Sequence, residues 1–388
     1  MRRGIVAAAM VALLVAACKP YIPDLPPSMI PEPAAADVET VVFLVGDAGH
    51  AIEERYPVMS VLRGDVEAWS RQLRGDTSVV VLYLGDIVYP DGMSAADEAG
   101  YARDSLVVQA QANVVAGPAA RERGWAFFMA GNHDWGNARN TEGVARLQEL
   151  ERFLDRRRAN GLRVRLLPEA GEPGPAVLDI GTRLTILLYD TAWWLLASDA
   201  ARKARMFSQT EDALRRSRGR VVLFAAHHPW RSASPHGGNV GLWKAFGLRY
   251  LLNRSGAILQ DLNSIPYREL TRSLEASFRV YPPLVFAGGH DHSLQVIQTE
   301  GEAEPRFAIV SGSASKVSDV GHIAGMRYRL AAPGYGKLYI RRDGHVDFIM
   351  VAAPDKDQLS CDGTGDALRE CMTRAMASFR PRFGMRLQ

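Results

Sequence analysis

Five polar motifs, each directly after an apolar run, constrain the fold of this chain more than any other feature of its sequence. Short apolar runs that lead into turn-forming residues are typical of buried β-strands. The motifs, with the run before each, are Gly46-Asp47 after Val41–Val45, Gly85-Asp86 after Val79–Leu84, Gly131-Asn132-His133-Asp134 after Trp125–Ala130, His227-His228-Pro229 after Val221–Ala226, and Gly289-His290-Asp291-His292 after Leu284–Ala287. Because the carboxyl ends of parallel strands share one edge of a sheet, we expect the motifs to meet there.

Histidines gather in these motifs. Of the nine histidines in the chain, six lie in or just after a motif, namely His133, His227, His228, His236, His290 and His292. Histidines of an ordinary core would be scattered, so a metal site is the simplest explanation. A single Gly-Asp or Gly-Asn pair is also typical of a plain turn. It is the ordered set that favours the metal site.

The side chains in the motifs suit a pair of divalent or trivalent ions. Two neighbouring ions require hard oxygen and imidazole donors, one bridging carboxylate, and open positions for water and substrate. The chain offers Asp47, Asp86, Asn132, His227, His290 and His292. We expect His290 and His292 to alternate along an extended segment, so that both side chains leave the same face and reach neighbouring ions. We expect His228 to be a wall or structural residue of the site.

The first half of the chain alternates strands with helices. Helical stretches are predicted around residues 60–73, 95–115 and 144–160, and a further strand at Leu184–Tyr189. A capping box at residues 208–211 predicts the start of a helix that Gly219 ends. This βαβ alternation favours right-handed crossovers and a largely parallel sheet in this half.

The second half of the chain has a different pattern of predicted elements. Residues 230–283 are mixed in composition and predict loops and short helices over the site. After the fifth motif we expect strands alone, at residues 306–310, 337–341 and 346–351, with a hairpin turn at Asp343-Gly344. The segment Gly312-Ser313-Ala314-Ser315-Lys316 lacks the spacing and the strand-to-helix context of a phosphate-binding P-loop, so we expect an ordinary loop.

The N-terminus has the pattern of a bacterial lipoprotein leader. Arg2 and Arg3 precede an apolar stretch, residues 5–17, which is too short to span a bilayer as a mature helix. Small residues before Cys18 resemble the lipobox, in which the cysteine becomes the lipidated first residue. We therefore expect residues 1–18 to be a signal peptide, and the protein to be exported and anchored in the periplasm, at the outer membrane or at the cell surface. A plain secretory signal is the alternative.

Three further segments follow the leader. Residues 19–37 contain six prolines and predict an extended tether. Residues 38–355 are expected to form the globular domain, and residues 356–388 a C-terminal tail. The tail carries Cys361 and Cys371, which we expect to form a disulfide in an oxidising compartment; two free thiols are the alternative. The net charge of the chain is only +3, so composition gives no indication of a nucleic-acid partner.

Taken in order, the five motifs resemble those of the calcineurin-like metallophosphoesterase superfamily, and within it the small, tartrate-resistant type of purple acid phosphatase. Gly49 stands where most of the superfamily has a ligand histidine. In compensation, Tyr89 follows the aspartate of the second motif by three residues, as in the purple acid phosphatases. His236 lies nine residues after His227, which matches the spacing of a substrate-facing histidine in the small enzymes.

The resemblance implies an α/β fold, a metallophosphoesterase-type αββα sandwich of two mixed sheets flanked by helices. It also implies two metal ions. One ion, expected to be Fe(III), would be held by Asp47, Asp86, Tyr89 and His292, and the other, expected to be Fe, Zn or Mn, by Asp86, Asn132, His227 and His290. Asp86 would bridge the two. His133 and His236 would face the substrate, and Asp134 would orient His133.

The implied activity is the hydrolysis of phosphoric monoesters, with small phosphorylated substrates. A metal-bound hydroxide would attack phosphorus, and His133 or His236 would protonate the leaving oxygen; the sequence does not choose between them. Two alternatives stay open. The same centre would serve a phosphodiesterase or nucleotide pyrophosphatase, or the chain would be a catalytically silent lipoprotein that binds a ligand. The physiological substrate and the oligomeric state are left open.

Overall fold

The computed structural model describes residues 29–75, 77–136, 142–238, 255–256 and 258–388. The expected signal peptide, its Cys18 and residues 19–28 of the expected tether lie outside the described residues. Within the described residues, none of the helices combines the length and the apolar character needed to cross a membrane.

Strands and helices alternate through the first two thirds of the described chain. The strands are β1 (Val38–Val45), β2 (Ser78–Tyr83), β3 (Gly124–Phe128), β4 (Val164–Leu166), β5 (Ala176–Ile180), β6 (Leu184–Tyr189), β7 (Val221–Ala226), β8 (Val285–Gly288), β9 (Leu294–Gln298), β10 (Phe307–Ser311), β11 (Met326–Leu330), β12 (Gly334–Arg341), β13 (Val346–Ala352) and β14 (Arg380–Arg386). The α-helices are α1 (Pro57–Gln72), α2 (Tyr101–Ala112), α3 (Pro118–Arg123), α4 (Gly143–Ala159), α5 (Thr191–Leu196), α6 (Ala200–Arg216), α7 (Ile265–Phe278) and α8 (Gly365–Ser378). Each of the five motifs follows a strand, as expected.

These strands form two seven-stranded mixed sheets. The strand order is β14-β13-β12-β1-β2-β3-β4 in sheet A and β11-β9-β10-β8-β7-β6-β5 in sheet B. In sheet A, β1 to β4 are parallel and β12 to β14 are added antiparallel. In sheet B, β6, β7, β8 and β10 are parallel. The expected parallel pairing is therefore confirmed within each half, but in two sheets.

The apolar side chains of each strand divide between two cores. Val42 and Leu44 of β1 face the layer between the sheets, whereas Val41 and Phe43 face the helices that cover sheet A, because successive side chains of a strand point to opposite faces. Phe224 of β7 packs beneath the helices that cover sheet B. Burial on both faces explains why the motif strands read as continuous apolar runs.

This layering brings the motifs to one end of the sandwich. Gly46, after β1, donates its N–H to the carbonyl oxygen of Ser311 in sheet B (2.7 Å), and Gly289 donates to the carbonyl oxygen of His227 (2.9 Å). The motifs therefore come from the ends of two sheets, as the family resemblance implies, and not from the single sheet edge that the strand pattern alone predicts. The site lies where the two sheets meet.

One helix start was predicted wrongly. The capping box at residues 208–211 lies inside α6, which begins at Ala200. The actual N-cap is Asp199, whose carboxylate accepts the Arg202 N–H at 2.9 Å. A side chain that accepts a free N–H of the first turn fixes where the helix begins. Residues 208–211 therefore lie in the interior of the helix.

The C-terminal segment also differs from the expectation of strands alone. It forms α8 and then β14, which pairs antiparallel with β13 at the edge of sheet A. A disulfide joins Cys361 to Cys371 within this segment. At the other end of the described chain, Glu32 forms an ion pair with the buried ammonium of Lys337 on sheet A. Residues 356–388 thus extend sheet A, and part of the expected tether lies against it.

Candidate metal centre

Three of the candidate ligands have a left-handed backbone. The φ angles of Asp47, Asp86 and His290 are 59°, 54° and 65°, and among the described residues no other residue besides glycine has a positive φ. Such a conformation costs about 1–3 kcal/mol in a residue with a Cβ atom and persists where the surrounding structure enforces it. The segment 290–292 is therefore a turn rather than the extended segment that the sequence predicts. The turn still sends His290 and His292 to opposite ends of the site.

Two glycines let the loops approach each other. A Cβ atom on Gly85 would lie 2.5 Å from Nδ1 of His227, and one on Gly131 would lie 2.2 Å from Oδ1 of Asp86. Both distances are impossible for real atoms, so only glycine fits. Because neither glycine has a side chain, the loops that carry the candidate ligands in both sheets can pack against one another.

The first group of candidate ligands surrounds the Asp47 carboxylate. Tyr89 donates its phenol O–H to Oδ1 of Asp47 at 3.0 Å, and Nε2 of His292 lies 3.4 Å from the same oxygen. The phenol oxygen and Nε2 of His292 are 3.3 Å apart. One ligand atom from each of Asp47, Asp86 and His292 lies within 4.8 Å of the others, a grouping that can hold a metal ion.

The second group consists of Asn132, His227 and His290. The amide oxygen of Asn132 lies 3.0 Å from Nε2 of His227 and 3.1 Å from Nδ1 of His290. The two imidazole nitrogens are 3.2 Å apart. All three side chains are buried, so no bulk water separates them.

The second group presents electron pairs with no hydrogen between them. His227 donates Nδ1–H to the carbonyl oxygen of Leu84 at 2.8 Å, and His290 donates Nε2–H to that of Gln260 at 2.8 Å. In the neutral rings, the nitrogens that face Asn132 are then the unprotonated ones. Two lone pairs and an amide oxygen that converge in this way need a cation between them. In the metal-free chain a proton on His227 meets this need, because burial, which lowers the pKa of His227, is outweighed by Asp86 and Asp47, which raise it; a metal ion would take the place of that proton. Bonds of about 2.0–2.2 Å to one ion place neighbouring ligand atoms about 3.0–3.4 Å apart, so the donor set fits a metal.

Asp86 lies between the two groups. Its Oδ1 atom is 3.4 Å from Nε2 of His227 in the second group, and the same residue belongs to the cluster with Asp47 and His292. The N–H of His133 donates to Oδ1 of Asp86 at 3.0 Å and helps to hold the carboxylate in place. This position is the one that a bridging carboxylate requires.

The protonation of the site follows from burial and charge. Burial, together with the carboxylates of Asp47 and Asp86, raises the pKa of the Tyr89 phenol well above its usual value. Burial would also raise the pKa of Asp86, but the charges of His227 and His133 outweigh it and lower that pKa to about 2. Burial lowers the pKa of His290 well below its usual value. A carboxylate anion and a neutral imidazole are the forms that bind metal.

The two histidines expected to face the substrate lie on different sides. The Nε2 atom of His133 is 3.9 Å from Oδ2 of Asp86, and its ring meets the edge of Tyr89 at a centroid distance of 4.5 Å. The ring of His236 lies against that of His290, with centroids 4.2 Å apart. Both are part of the site without belonging to either ligand group.

Asp261 is a site residue that the sequence did not reveal. Its buried carboxylate lies 2.8 Å from Nδ1 of His236, so that Nε2 is the nitrogen left for a substrate. Asp261 does not directly follow an apolar run of strand length, and it lies in the mixed stretch 230–283. Only the fold brings it beside His236.

Asp134 does not orient His133, in contrast to the role predicted for it. Its two carboxylate oxygens accept the backbone N–H groups of Ile87, Val88 and Gly131 at 2.8–3.1 Å. The ring of His133 contacts the carbonyl oxygen of Pro90 instead. Burial and the neighbouring Asp86 raise the pKa of Asp134 to about 7. Asp134 therefore ties the loop after β3 to the loop after β2, which carries Asp86.

His228 has the structural role expected of it. Its Nδ1 atom lies 2.8 Å from the hydroxyl of Thr191 and its Nε2 atom donates to the side-chain oxygen of Gln260 at 2.9 Å. Burial, followed by the charge of His227, lowers the pKa of His228 to about 3. With both ring nitrogens engaged, His228 supports the wall of the site.

Comparisons with known proteins bear on the fold. No family model and no curated protein matches the sequence. Among solved structures, purple acid phosphatase PPD1 from yellow lupin (Lupinus luteus) seeds matches with a TM-score of 0.51 and 12% identity, over 80% of this chain and 51% of that one. This chain thus spans about half the length of the lupin protein. GAP50, the anchor in the inner membrane complex of Plasmodium, matches with a TM-score of 0.47 and 13% identity, over 87% of this chain and 95% of that one.

The fold is a metallophosphoesterase-type sandwich. Two mixed sheets flanked by helices have the arrangement of the lupin phosphatase, as the sequence motifs imply. At this level of identity the likeness concerns the fold alone, since one fold serves many functions. The function has to be argued from the site.

Proposed function

We propose that this protein is a phosphoric monoester hydrolase with a dinuclear metal centre, similar to the small purple acid phosphatases. The observation that carries the proposal is the convergence of Asn132, His227 and His290 on one point, with Asp86 between them and a second group of donors. A structural metal site would be closed, whereas hydrolysis needs ions next to groups that handle protons. His133 and His236 are such groups.

We assign Asp47, Asp86, Tyr89 and His292 to the first ion and Asp86, Asn132, His227 and His290 to the second. A phenolate is a hard donor that favours Fe(III) in the first position, while the mixed amide and imidazole set accepts Fe, Zn or Mn in the second. When bound, the ions supply charge that neutralises phosphate oxygens and lowers the pKa of water at the centre.

The residues of the chain perform the remaining tasks. The Asp261 carboxylate accepts Nδ1–H of His236 and fixes the orientation of the ring. In its imidazolium form His236 then carries a second proton on Nε2, which passes to the departing alkoxide or aryloxide oxygen and leaves the neutral ring. This contact favours His236 over His133 as the general acid. His133 lies beside the bridging Asp86 and the Tyr89 ring, where its imidazole stabilises charge on the phosphoryl group.

The location of the protein is part of the same proposal. The leader pattern ending at Cys18 supports export, and lipid on Cys18 would hold the enzyme at a membrane. The disulfide between Cys361 and Cys371 agrees with an oxidising compartment. Small phosphorylated compounds outside the cytoplasm would then be the substrates.

The test compares two esters on protein of known metal content. The metal-loaded protein is assayed on an aryl phosphate and on the matching bis-aryl phosphodiester, after its metals have been measured. We expect two ions per chain and a rate on the monoester at least about tenfold above that on the diester, the size of effect that one well-placed charged contact produces. The His345→Gln protein, altered at an exposed turn, should behave as the wild type.

Other outcomes would redirect the proposal. A faster rate on the diester would favour a phosphodiesterase or nucleotide pyrophosphatase. Folded protein with two ions that hydrolyses neither ester would favour the silent, ligand-binding lipoprotein. A chain that binds no metal under any condition would remove the basis for all three.

A further inference from the structure

Lys316 is a half-buried cation at the edge of the metal centre. Its ammonium nitrogen lies 3.3 Å from the ring centroid of Tyr89. Among the described residues it has no carboxylate within ion-pair distance, in contrast to the buried Lys337, which pairs with Glu32 and Asp65. An aromatic ring face stabilises a cation by only about 0.5–2 kcal/mol. Within the described part of the chain, this partly desolvated ammonium also has no hydrogen-bond acceptor.

The loop that carries Lys316 is held by the ligand loops. Ser315 donates its hydroxyl to the carbonyl oxygen of Asp47 and accepts the His50 N–H at 3.1 Å. Two residues after Lys316, the N–H of Ser318 donates to the carbonyl oxygen of His292 at 2.7 Å. The position of Lys316 is therefore set by the same residues that form the first ligand group.

The charges that reach Lys316 are those of the centre itself. Asp86 and Asp47 attract its ammonium group. Once these carboxylates bind cations, their negative charge is offset, and Lys316 faces a positive centre without compensation. An anion placed at the centre would satisfy both the ions and Lys316.

We propose that Lys316 binds a terminal oxygen of the phosphoryl group and thereby favours dianionic monoesters over monoanionic diesters. This inference rests on the proposed function and adds the residue that sets its substrate class. A monoester has three terminal oxygens and two negative charges, so one oxygen is left for an ammonium after the centre has taken the others. A diester has two terminal oxygens and a single charge. An ammonium donor to such an oxygen forms a charge-assisted hydrogen bond.

The experiment measures the binding of inorganic phosphate as well as turnover. Lys316→Met keeps the length of the side chain and removes its charge, Lys316→Gln is a second neutral variant, and Lys316→Arg keeps the charge. Lys203→Met is the matched control, because Lys203 is also half-buried and lies 4.1 Å from the ring centroid of Trp194, on α6 and away from the centre. All are studied in the full chain loaded with metal, by titration calorimetry with inorganic phosphate.

We expect Lys316→Met and Lys316→Gln to bind phosphate about tenfold or more weakly, with metal content unchanged, as for the loss of a charge-assisted contact. Their kcat/KM should fall by a similar factor on the aryl phosphate and by less than about threefold on the diester. Lys316→Arg should recover part of both, and Lys203→Met should match the wild type. Variants that fold and bind phosphate as the wild type does would overturn the inference, and so would a loss of metal.

Failure of the inference differs from failure of the proposed function. If the wild type binds phosphate through Lys316 but hydrolyses no ester, the hydrolase proposal fails and Lys316 keeps its role as an anion-binding residue. If the wild type hydrolyses monoesters and Lys316→Met keeps full phosphate affinity, only the inference on Lys316 is wrong. A metal-loaded wild type that binds no phosphate overturns both.

Discussion

Asp86 and His227 meet across the two sheets, with Oδ1 of the carboxylate 3.4 Å from Nε2 of the imidazole. Asp86 follows β2 in sheet A, and His227 follows β7 in sheet B. His227 also donates Nδ1–H to the carbonyl oxygen of Leu84, the first residue after β2. The centre is thus assembled at the junction of the sheets, and a change on one side should disturb ligands supplied by the other.

Replacing Asp86 should empty both ion positions. Asp86→Asn keeps the shape of the side chain but removes the charge that two cations would share. We therefore expect the affinity for both ions to fall. A lost supporting contact typically lowers metal affinity about 10–100-fold, and we expect a larger loss here. Metal analysis after equilibrium dialysis measures this. Asp343→Asn, at an exposed turn, is the control. Retention of two ions by Asp86→Asn would rule out the bridge.

Tyr89→Phe should remove the colour of an iron-loaded protein. The pKa of the Tyr89 phenol is raised by burial and by Asp47 and Asp86, so the metal-free protein holds a neutral phenol, and Fe(III) must displace its proton. We expect a phenolate-to-Fe(III) absorption band that is absent in Tyr89→Phe, and the release of one more proton on loading from the wild type than from Tyr89→Phe. Tyr83→Phe, which alters another buried phenol, should keep both. A colourless wild type with Zn or Mn in both positions would remove Fe(III) from the assignment.

The His236–Asp261 pair should affect turnover without affecting metal. We expect His236→Ala to lower kcat about 10²–10⁴-fold, as for the loss of a general acid, with two ions retained. Asp261→Asn should lower kcat less, because the imidazole remains but its orientation is less constrained, and Asp261→Asn should add little in a His236→Ala background. Loss of an ion from His236→Ala would make His236 a ligand and exclude the role proposed for it.

Asp190 should make stability depend on pH. Burial raises the pKa of this carboxyl to about 7, although the N–H groups of Trp193 and Trp135 oppose the shift. The native chain therefore binds this proton more tightly than the unfolded chain, and the contribution to stability falls as pH rises from the unfolded value of about 4 through about 7.

Asp190→Asn isolates this effect. The amide cannot ionise, so the difference in the free energy of unfolding between wild type and Asp190→Asn should shrink by about 2 kcal/mol from about pH 5 to about pH 8. Denaturant unfolding of both proteins at the two pH values measures it. A difference that stays constant or grows with pH would mean that the wild-type carboxyl is ionised throughout.

The candidate ligands show how much of the site local sequence patterns can predict. Asp47, Asp86 and His227 are marked in the sequence because each follows a buried strand, and strand ends in parallel arrangement lie together. Their division into two groups does not follow the order of the motifs, because His290 and His292 of the last motif lie in different groups. For Asp134 the family resemblance was misleading: it implies a contact with His133, whereas the carboxylate oxygens accept backbone N–H groups of the neighbouring loop.

Sequence patterns did not identify some of the site residues that lie outside the five motifs. Asp261 and Lys316 are brought to the site by segments whose composition is that of ordinary loops, and their roles depend on distances to His236 and Tyr89 across long stretches of chain. The start of α6 was missed for a similar reason, since two capping residues compete and only the packed helix selects Asp199.

By itself the sequence determined the alternation of buried strands and polar loops, because periodicity and turn chemistry are local properties of the chain. It also determined which donor types are present, since the chemistry of a side chain does not depend on the fold. The resemblance carried by the motifs already implied two sheets and an Asp86 between two groups of ligands. The tertiary structure alone decided that Asp261 and Lys316 join the site, and that Asp134 binds the backbone of a neighbouring loop. Such relations arise from packing between distant segments, which no local pattern of residues encodes.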